Sequence, residues 1–137
     1  MIMNKLYLGI DPGRSKTGLA LVDGVGKIIK LHIADSQNID NEIVEIIKNS
    51  CPVQIVLGNG TNSRNICEVV QKVLPDILIT VVEESFSTEE ARTLYWQENP
   101  PKGLKKLIPL GLLVPPVPLD AYAAVILVRR FLEDNHE

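Results

Sequence analysis

Three acids stand where a folded chain could bring them together: Asp11 closes the first strand-like run, Glu84 follows the fifth, and Asp120 opens the last helical segment. In open α/β sheets ligands gather beyond the carboxyl ends of strands, so acids at such ends are more telling than acids scattered over a surface. Three carboxylates with no histidine beside them suit hard, oxygen-seeking Mg²⁺ or Mn²⁺ rather than zinc. Each acid also has a plain structural reading. Asp11-Pro12-Gly13 is a good turn, Asp120 is a good helix cap, and Glu84 can be a solvated loop acid. Their joint placement weighs toward a shared metal site.

Other chemistry-bearing residues are weaker candidates. Gly13-Arg14-Ser15-Lys16-Thr17 has the look of a phosphate loop, but serine precedes the lysine where a Walker motif needs glycine, and the glycine spacing fails. Gly58-Asn59-Gly60-Thr61-Asn62-Ser63 opens a helix whose free amides could hold a phosphate, or is simply a glycine turn. His32, in a strand pattern, and His136, in the tail, have no partner nearby in sequence, which suits structural or solvated roles. Tyr95 and Trp96 could stack on a base, although core packing is the stronger reading.

The elements that must position the acids follow from periodicity. Lys5 to Ile10, Thr17 to Val22 and Lys27 to Ala34 are β-branched or apolar runs separated by Asp-Pro-Gly and Gly-Val-Gly turns, which predicts a three-strand meander. Ile43, Val44, Ile46 and Ile47 then share one face of a helix from about Asp40 to Asn49. Val53 to Leu57 predicts a buried strand, followed by a helix carrying Ile66, Val69, Val70 and Val73. Ile77 to Val82 predicts another buried strand, and Ser87-Thr88-Glu89-Glu90 a capping box at the start of a third helix. Between Asn99 and Leu119 lie six of the nine prolines and the lysines Lys102, Lys105 and Lys106 with no acid, an irregular loop of local charge +3. Such a loop can position a phosphate backbone without reading sequence. Asp120 to Leu132 predicts a closing helix. The order implies an α/β fold, a five-stranded mixed sheet with helices on both faces.

Length and composition set outer bounds. At 137 residues the chain allows one domain, spanning 1–137, with a core that needs neither disulfides nor structural metal. Fourteen basic against seventeen acidic residues give a net charge of -3, which argues against binding nucleic acid by bulk charge but leaves a local basic patch open. Cys51 and Cys67 are too few for a zinc site and are expected to be buried thiols. There is no signal-peptide pattern, and the apolar stretch Leu107 to Leu119 carries four prolines, so a cytoplasmic protein without a membrane span is expected.

Several segments together resemble a known family. Leu8-Gly9-Ile10-Asp11-Pro12-Gly13 followed by Thr17-Gly18-Leu19-Ala20 is similar to the opening of the ribonuclease H-like superfamily, which includes Holliday junction resolvases. Ile55-Val56-Leu57-Gly58, then Val82-Glu83-Glu84-Ser85 with Ser87-Thr88 and Ala91, then Leu119-Asp120 with Ala123-Ala124, resemble the YqgF/RuvX family along nearly the whole chain. That family is implicated in processing the precursor of small-subunit ribosomal RNA and has long been described as resolvase-like. The resemblance implies a ribonuclease H-like fold, Mg²⁺ or Mn²⁺ as cofactor, and Asp11, Glu84 and Asp120 as metal-binding catalytic acids. It also implies a nucleic-acid partner, an RNA precursor or branched DNA, for a monomer or homodimer. The chain departs from the family in having Asn59-Gly60 after the central glycine, Ser85 in place of a basic residue, and Ala123 where some resolvases use a fourth acid. Arg14, Lys16 and Arg92 are the cations that could take over the missing phosphate contact. Two rival readings are a binding protein of the same fold with vestigial nuclease activity, and a sugar-kinase or actin-like ATPase, which would need two domains of this fold.

Overall fold

The computed structural model describes residues 5–84 and 87–135. β1 (Leu6–Asp11), β2 (Lys16–Asp23) and β3 (Ile28–Asp35) form the antiparallel meander. α1 (Ile39–Ile46) leads to β4 (Gln54–Gly58), which pairs in parallel with β1, and α2 (Ser63–Val73) leads to β5 (Leu78–Val82), parallel to β4. The sheet order is β3-β2-β1-β4-β5, which puts β1 at the centre. α3 (Ser87–Glu98) and α4 (Asp120–Asp134) complete the fold. No helix among the described residues is long and apolar enough to cross a membrane.

Alternation along the strands sorts the core into two layers. Leu8, Ile10, Leu19, Leu21, Ile55 and Leu57 point to one face and pack with Ile39, Ile43 and Ile46 of α1 and Ile66 and Val70 of α2. Ala20, Val22 and Val56 point to the other and pack with Leu94 of α3 and the Ala124–Val128 stretch of α4. Each fully buried Leu or Ile contributes roughly 1.5–3 kcal/mol relative to leaving it in water. The mixed sheet with helices on both faces is thus the architecture that the element order implied.

Four local expectations are corrected. β5 is an exposed edge strand rather than a buried one, with Leu78 and Val81 open to solvent, because α4 packs over β1 to β4 and leaves the sheet margin bare. On α1 the buried stripe is Ile39, Ile43 and Ile46, while Val44 faces out. Cys51 is exposed and Cys67 half-buried, since Cys51 lies in a surface connection. His32 does have a partner: α1 runs beside β3, so Glu42 reaches it at 2.9 Å and its carboxyl is held below the ordinary value by that hydrogen bond. The expectations for His136 and for the Ser87 and Ser85 side chains lie outside the described residues.

One close approach decides where α4 sits. A Cβ on Gly18 would collide with the backbone carbonyl of Asp120 and lie 2.7 Å from the Ala121 nitrogen, and one on Gly9 would lie 2.7 Å from Val128. The helix lies on the sheet with no side chain between them at these points. Gly18→Ala should therefore cost roughly 1–3 kcal/mol, the usual penalty for overpacking a filled core. Gly111→Ala, where an added Cβ meets nothing within 4 Å, should stay within about 0.5 kcal/mol of the parent. Denaturant midpoints of the two variants check this; equal midpoints would show that α4 is not in backbone contact with the sheet.

Candidate functional site

The glycine that admits α4 also joins two of the acids. Gly18 is the cross-strand neighbour of Asp11 in the β1–β2 ladder, and the Asp120 backbone lies over Gly18. Asp11 is on the same face of β1 as Gly9, the face covered by α4. Glu84 reaches the same place from β5. A Cβ on Gly58 would lie 2.6 Å from Glu84 Oε1, and one on Gly60 would overlap Glu84 Oε2, so the carboxylate rests in a cradle that any side chain would fill. Asn59 secures it, donating its backbone N–H to the Val82 carbonyl and accepting the Glu84 N–H on Oδ1 at 3.2 Å. The Asn59-Gly60 pair thus holds Glu84 here.

The electrostatics show that the acids feel one another. The Asp11 carboxyl hydrogen-bonds Glu84 and is pushed up to about 9, first by burial, then by that hydrogen bond and by repulsion from Glu84 and Asp120. Burial also raises Asp120. Asp120 is the first residue of α4 rather than its cap; the capping position is Leu119, and no side chain caps the helix. The plain capping reading of Asp120 therefore fails, although a carboxylate in the first turn still suits the helix dipole.

The strand ends are braced by groups that sequence reasoning missed. Buried Thr17 and Ser36 hydrogen-bond each other at 2.7 Å, Ser36 donates to the Gly13 carbonyl at 2.7 Å, and Asn62 Nδ2 donates to the same carbonyl at 3.1 Å. They hold the turn just past Asp11. Arg130 donates to the Glu83 carbonyl at 3.3 Å and pairs with Glu90 at 2.7 Å, fixing the segment before α3 against α4. Nothing local in the sequence marks Ser36, Asn62 or Arg130, because each acts on a residue at least 23 positions away.

The expected cations fall into two groups. Arg14 is exposed beyond β1 and, with Arg64 and the start of α2, lines a hollow of about 360 Å³ over the Gly60–Asn62 turn; Lys16 is exposed at the start of β2. Arg92 is half-buried on α3 and faces Leu110 and Gly111 across a second hollow. Lys102, Lys105 and Lys106 are exposed on the segment between α3 and α4, which is irregular apart from two 3-10 turns, Gly103–Leu107 and Leu110–Leu112. Tyr95 and Trp96 are buried against Leu113 and pack edge to face.

Asp11, Glu84 and Asp120 are carboxylate oxygen donors of the kind a hard divalent cation takes, in a partly buried position where burial first, and the neighbouring acids second, keep Asp11 protonated. As the side chains stand, no three His, Cys, Asp or Glu among the described residues enclose an ion. Asp11 and Glu84 are paired, and Asp120 is within electrostatic range of Asp11.

The raised Asp11 value has a direct consequence for the metal-free protein. Asp11 keeps its proton when folded but releases it near 3.8 when unfolded, so unfolding releases a proton and stability falls as pH rises from about 4 toward 9. Asp11→Asn removes that pH-dependent penalty. In chelator, the melting temperature of Asp11→Asn should exceed that of the parent by a margin that widens between pH 5 and pH 8. Parallel curves would show that Asp11 is not held protonated by its neighbours.

No protein-family model and no curated protein sequence matches the chain. Solved structures do resemble it. Thermus thermophilus RuvC in complex with Holliday junction substrate aligns with a TM-score of 0.63 at 12% identity, covering 96% of this chain and 97% of that one. The Fowlpox virus resolvase in complex with Holliday junction DNA aligns at 0.60 and 11%, covering 93% and 99%. A ROK family transcriptional regulator aligns at 0.50 and 12%, but over only 69% of this chain and 31% of that one. At such identities the likeness concerns the fold, and the fold it shows is the ribonuclease H-like one, shared with the two resolvases over nearly the full length of both chains.

Proposed function

We propose that this chain is a divalent-metal-dependent nuclease of the YqgF/RuvX kind, hydrolysing phosphodiester bonds in structured nucleic acid, either a ribosomal RNA precursor or branched DNA. One observation carries the reading: the hydrogen-bonded Asp11–Glu84 pair lies beneath the first turn of α4, with Asp120 near enough to raise the Asp11 carboxyl. Asp11, Glu84 and Asp120 are the residues that would hold Mg²⁺ or Mn²⁺. A bound ion supplies the positive charge that activates water and neutralises charge building on the phosphate and leaving oxygen.

The chain's own residues do the rest. Asp11 holds a proton at neutral pH, and releasing it frees the oxygens of the pair to act as ligands. Asn59 and the glycine cradle keep Glu84 from swinging away. Arg14, Lys16 and Arg64 present charge to a phosphate on the Asp11 flank, and Lys102, Lys105 and Lys106 hold the backbone on the α3 flank. Arg92, across a hollow from Leu110 and Gly111, is a further cation that could meet substrate phosphate. The alternative reading is a nucleic-acid or ribosome-associated binding protein of the same fold whose nuclease activity is vestigial; metal dependence separates the two.

The decisive assay offers single-stranded RNA, a ribosomal precursor fragment and a four-way DNA junction, each with Mg²⁺, Mn²⁺ or chelator. Cleavage of at least one substrate with metal, and none in chelator, is the expected result; binding without metal-dependent cleavage would establish the second reading instead. Asp120→Asn should lower cleavage by at least about a hundredfold, the equivalent of ~2.7 kcal/mol, while its metal-free melting temperature holds or rises. Full activity in that variant would remove Asp120 from the site. Neutralising Lys102, Lys105 and Lys106 together should flatten the salt dependence of binding by roughly 0.7–0.9 for each phosphate that no longer meets a cation. An unchanged slope would mean that the segment does not touch phosphate.

A further inference from the structure

The segment between α3 and α4 carries more than charge. Of the thirteen exposed large hydrophobic side chains among the described residues, seven fall between Leu104 and Val117, with Leu104 84% and Leu107 82% exposed. Scattered surface leucines need no explanation, but this concentration on one short segment does. Leu104 and Leu107 lie three apart in the 3-10 turn Gly103–Leu107, where residues i and i+3 eclipse. They form one apolar edge, with Lys105 and Lys106 between them and Lys102 just before the turn.

Beside this edge is a hollow. The end of α3 and the segment enclose about 840 Å³ lined by Tyr95, Trp96, Lys102, Leu104, Lys105 and Leu113, among others. Its wall includes the chain's single tryptophan, whose buried indole N–H has no hydrogen-bond partner among the described residues. An unmet buried donor is costly. The segment is also tied to the acids at its far end: α3 starts three residues after Glu84, runs on the order of 18 Å, and the segment then returns to Asp120.

An apolar edge set among cations, with no acid in the segment, complements a polyanion that also offers an apolar surface. Proteins that kink nucleic acid insert Leu, Ile, Phe or Pro between base steps while cations hold the flanking phosphates. We propose that the Gly103–Leu107 turn is a wedge: Leu104 and Leu107 enter an unstacked step at a branch point or bulge, Lys102, Lys105 and Lys106 grip the adjoining phosphates, and the displaced base turns toward the Trp96 hollow. The proposal rests on the nucleic-acid reading above and assigns it a substrate class, nucleic acid with a weakened base step, in preference to uninterrupted duplex.

The test uses a four-way DNA junction and an RNA duplex with a single-base bulge, each carrying 2-aminopurine at the weakened step, in chelator so that cleavage does not intervene. Binding should raise 2-aminopurine emission and change Trp96 emission. Leu104→Ser/Leu107→Ser should abolish both signals and weaken binding by about tenfold while leaving the salt slope intact, because its lysines remain. Leu107→Ser alone should give an intermediate response if the double variant does not fold. Whichever probe responds, DNA or RNA, identifies the source of the weakened step. The wedge is overturned if 2-aminopurine stays stacked in the bound complex, or if the double variant gives the full signal. It is also overturned if the substitutions instead dissociate a homodimer in sedimentation or release the protein from phosphatidylserine vesicles while junction binding is unchanged. Metal-dependent cleavage that persists without unstacking would discard the wedge and keep the nuclease, whereas a protein that neither binds nor cleaves any probe would discard both.

Discussion

Helix α4 meets the central strands backbone to backbone, and the candidate site depends on that contact. Where Gly9 and Gly18 present no side chain, the helix settles onto β1 and β2, and its first residue, Asp120, is delivered beside the strand end that carries Asp11. A methyl group at Gly18 would push away the very residue whose position matters. The same economy recurs across β1, where Gly58 and Gly60 leave room for the Glu84 carboxylate. Three carboxylates separated by tens of residues are thus brought together by what the sheet lacks rather than by attraction.

That arrangement works against itself electrostatically. Burial disfavours charge on Asp11, and its hydrogen bond to Glu84 and repulsion from Glu84 and Asp120 add to it, so the carboxyl keeps its proton, while other groups brace the elements that bear the acids. Thr17, Ser36 and Asn62 converge on the turn after β1, Asn59 holds the start of the Glu84 segment, and Arg130 clips that segment to α4. None of these groups has to be chemically reactive. Their value is that they fix the backbone on which the acids stand.

The segment from Asn99 to Leu119 obeys different rules. Its prolines disfavour regular structure, its lysines and Leu104, Leu107, Leu110 and Leu112 face solvent, and Leu113 and Leu119 anchor it against Tyr95 and Trp96. Seven of the thirteen exposed large hydrophobic side chains among the described residues gather on this one stretch, which ends at Asp120. The contrast sets this segment apart from the braced strand ends that carry the acids.

Periodicity alone was enough for the mixed sheet, because alternating strands and 3.6-residue stripes are local patterns that survive folding, and the positions of Asp11 and Asp120 at element ends were readable for the same reason. The exposure of β5 and the outward turn of Val44 were not, since whether an apolar residue is covered depends on which elements pack above it. The Glu42 partner of His32, the Ser36 and Asn62 bonds to Gly13 and the Arg130 clip were also hidden, because each joins residues ten or more apart and side-chain contact over such a span has no local signature. By itself, then, the sequence determined the order of the elements and the residue types at their ends. Only the tertiary structure decided that Asn59-Gly60 would cradle Glu84, that Asp120 would start its helix instead of capping it, and that Asp11 would keep its proton, for these depend on backbone distances and burial that arise only when the layers close.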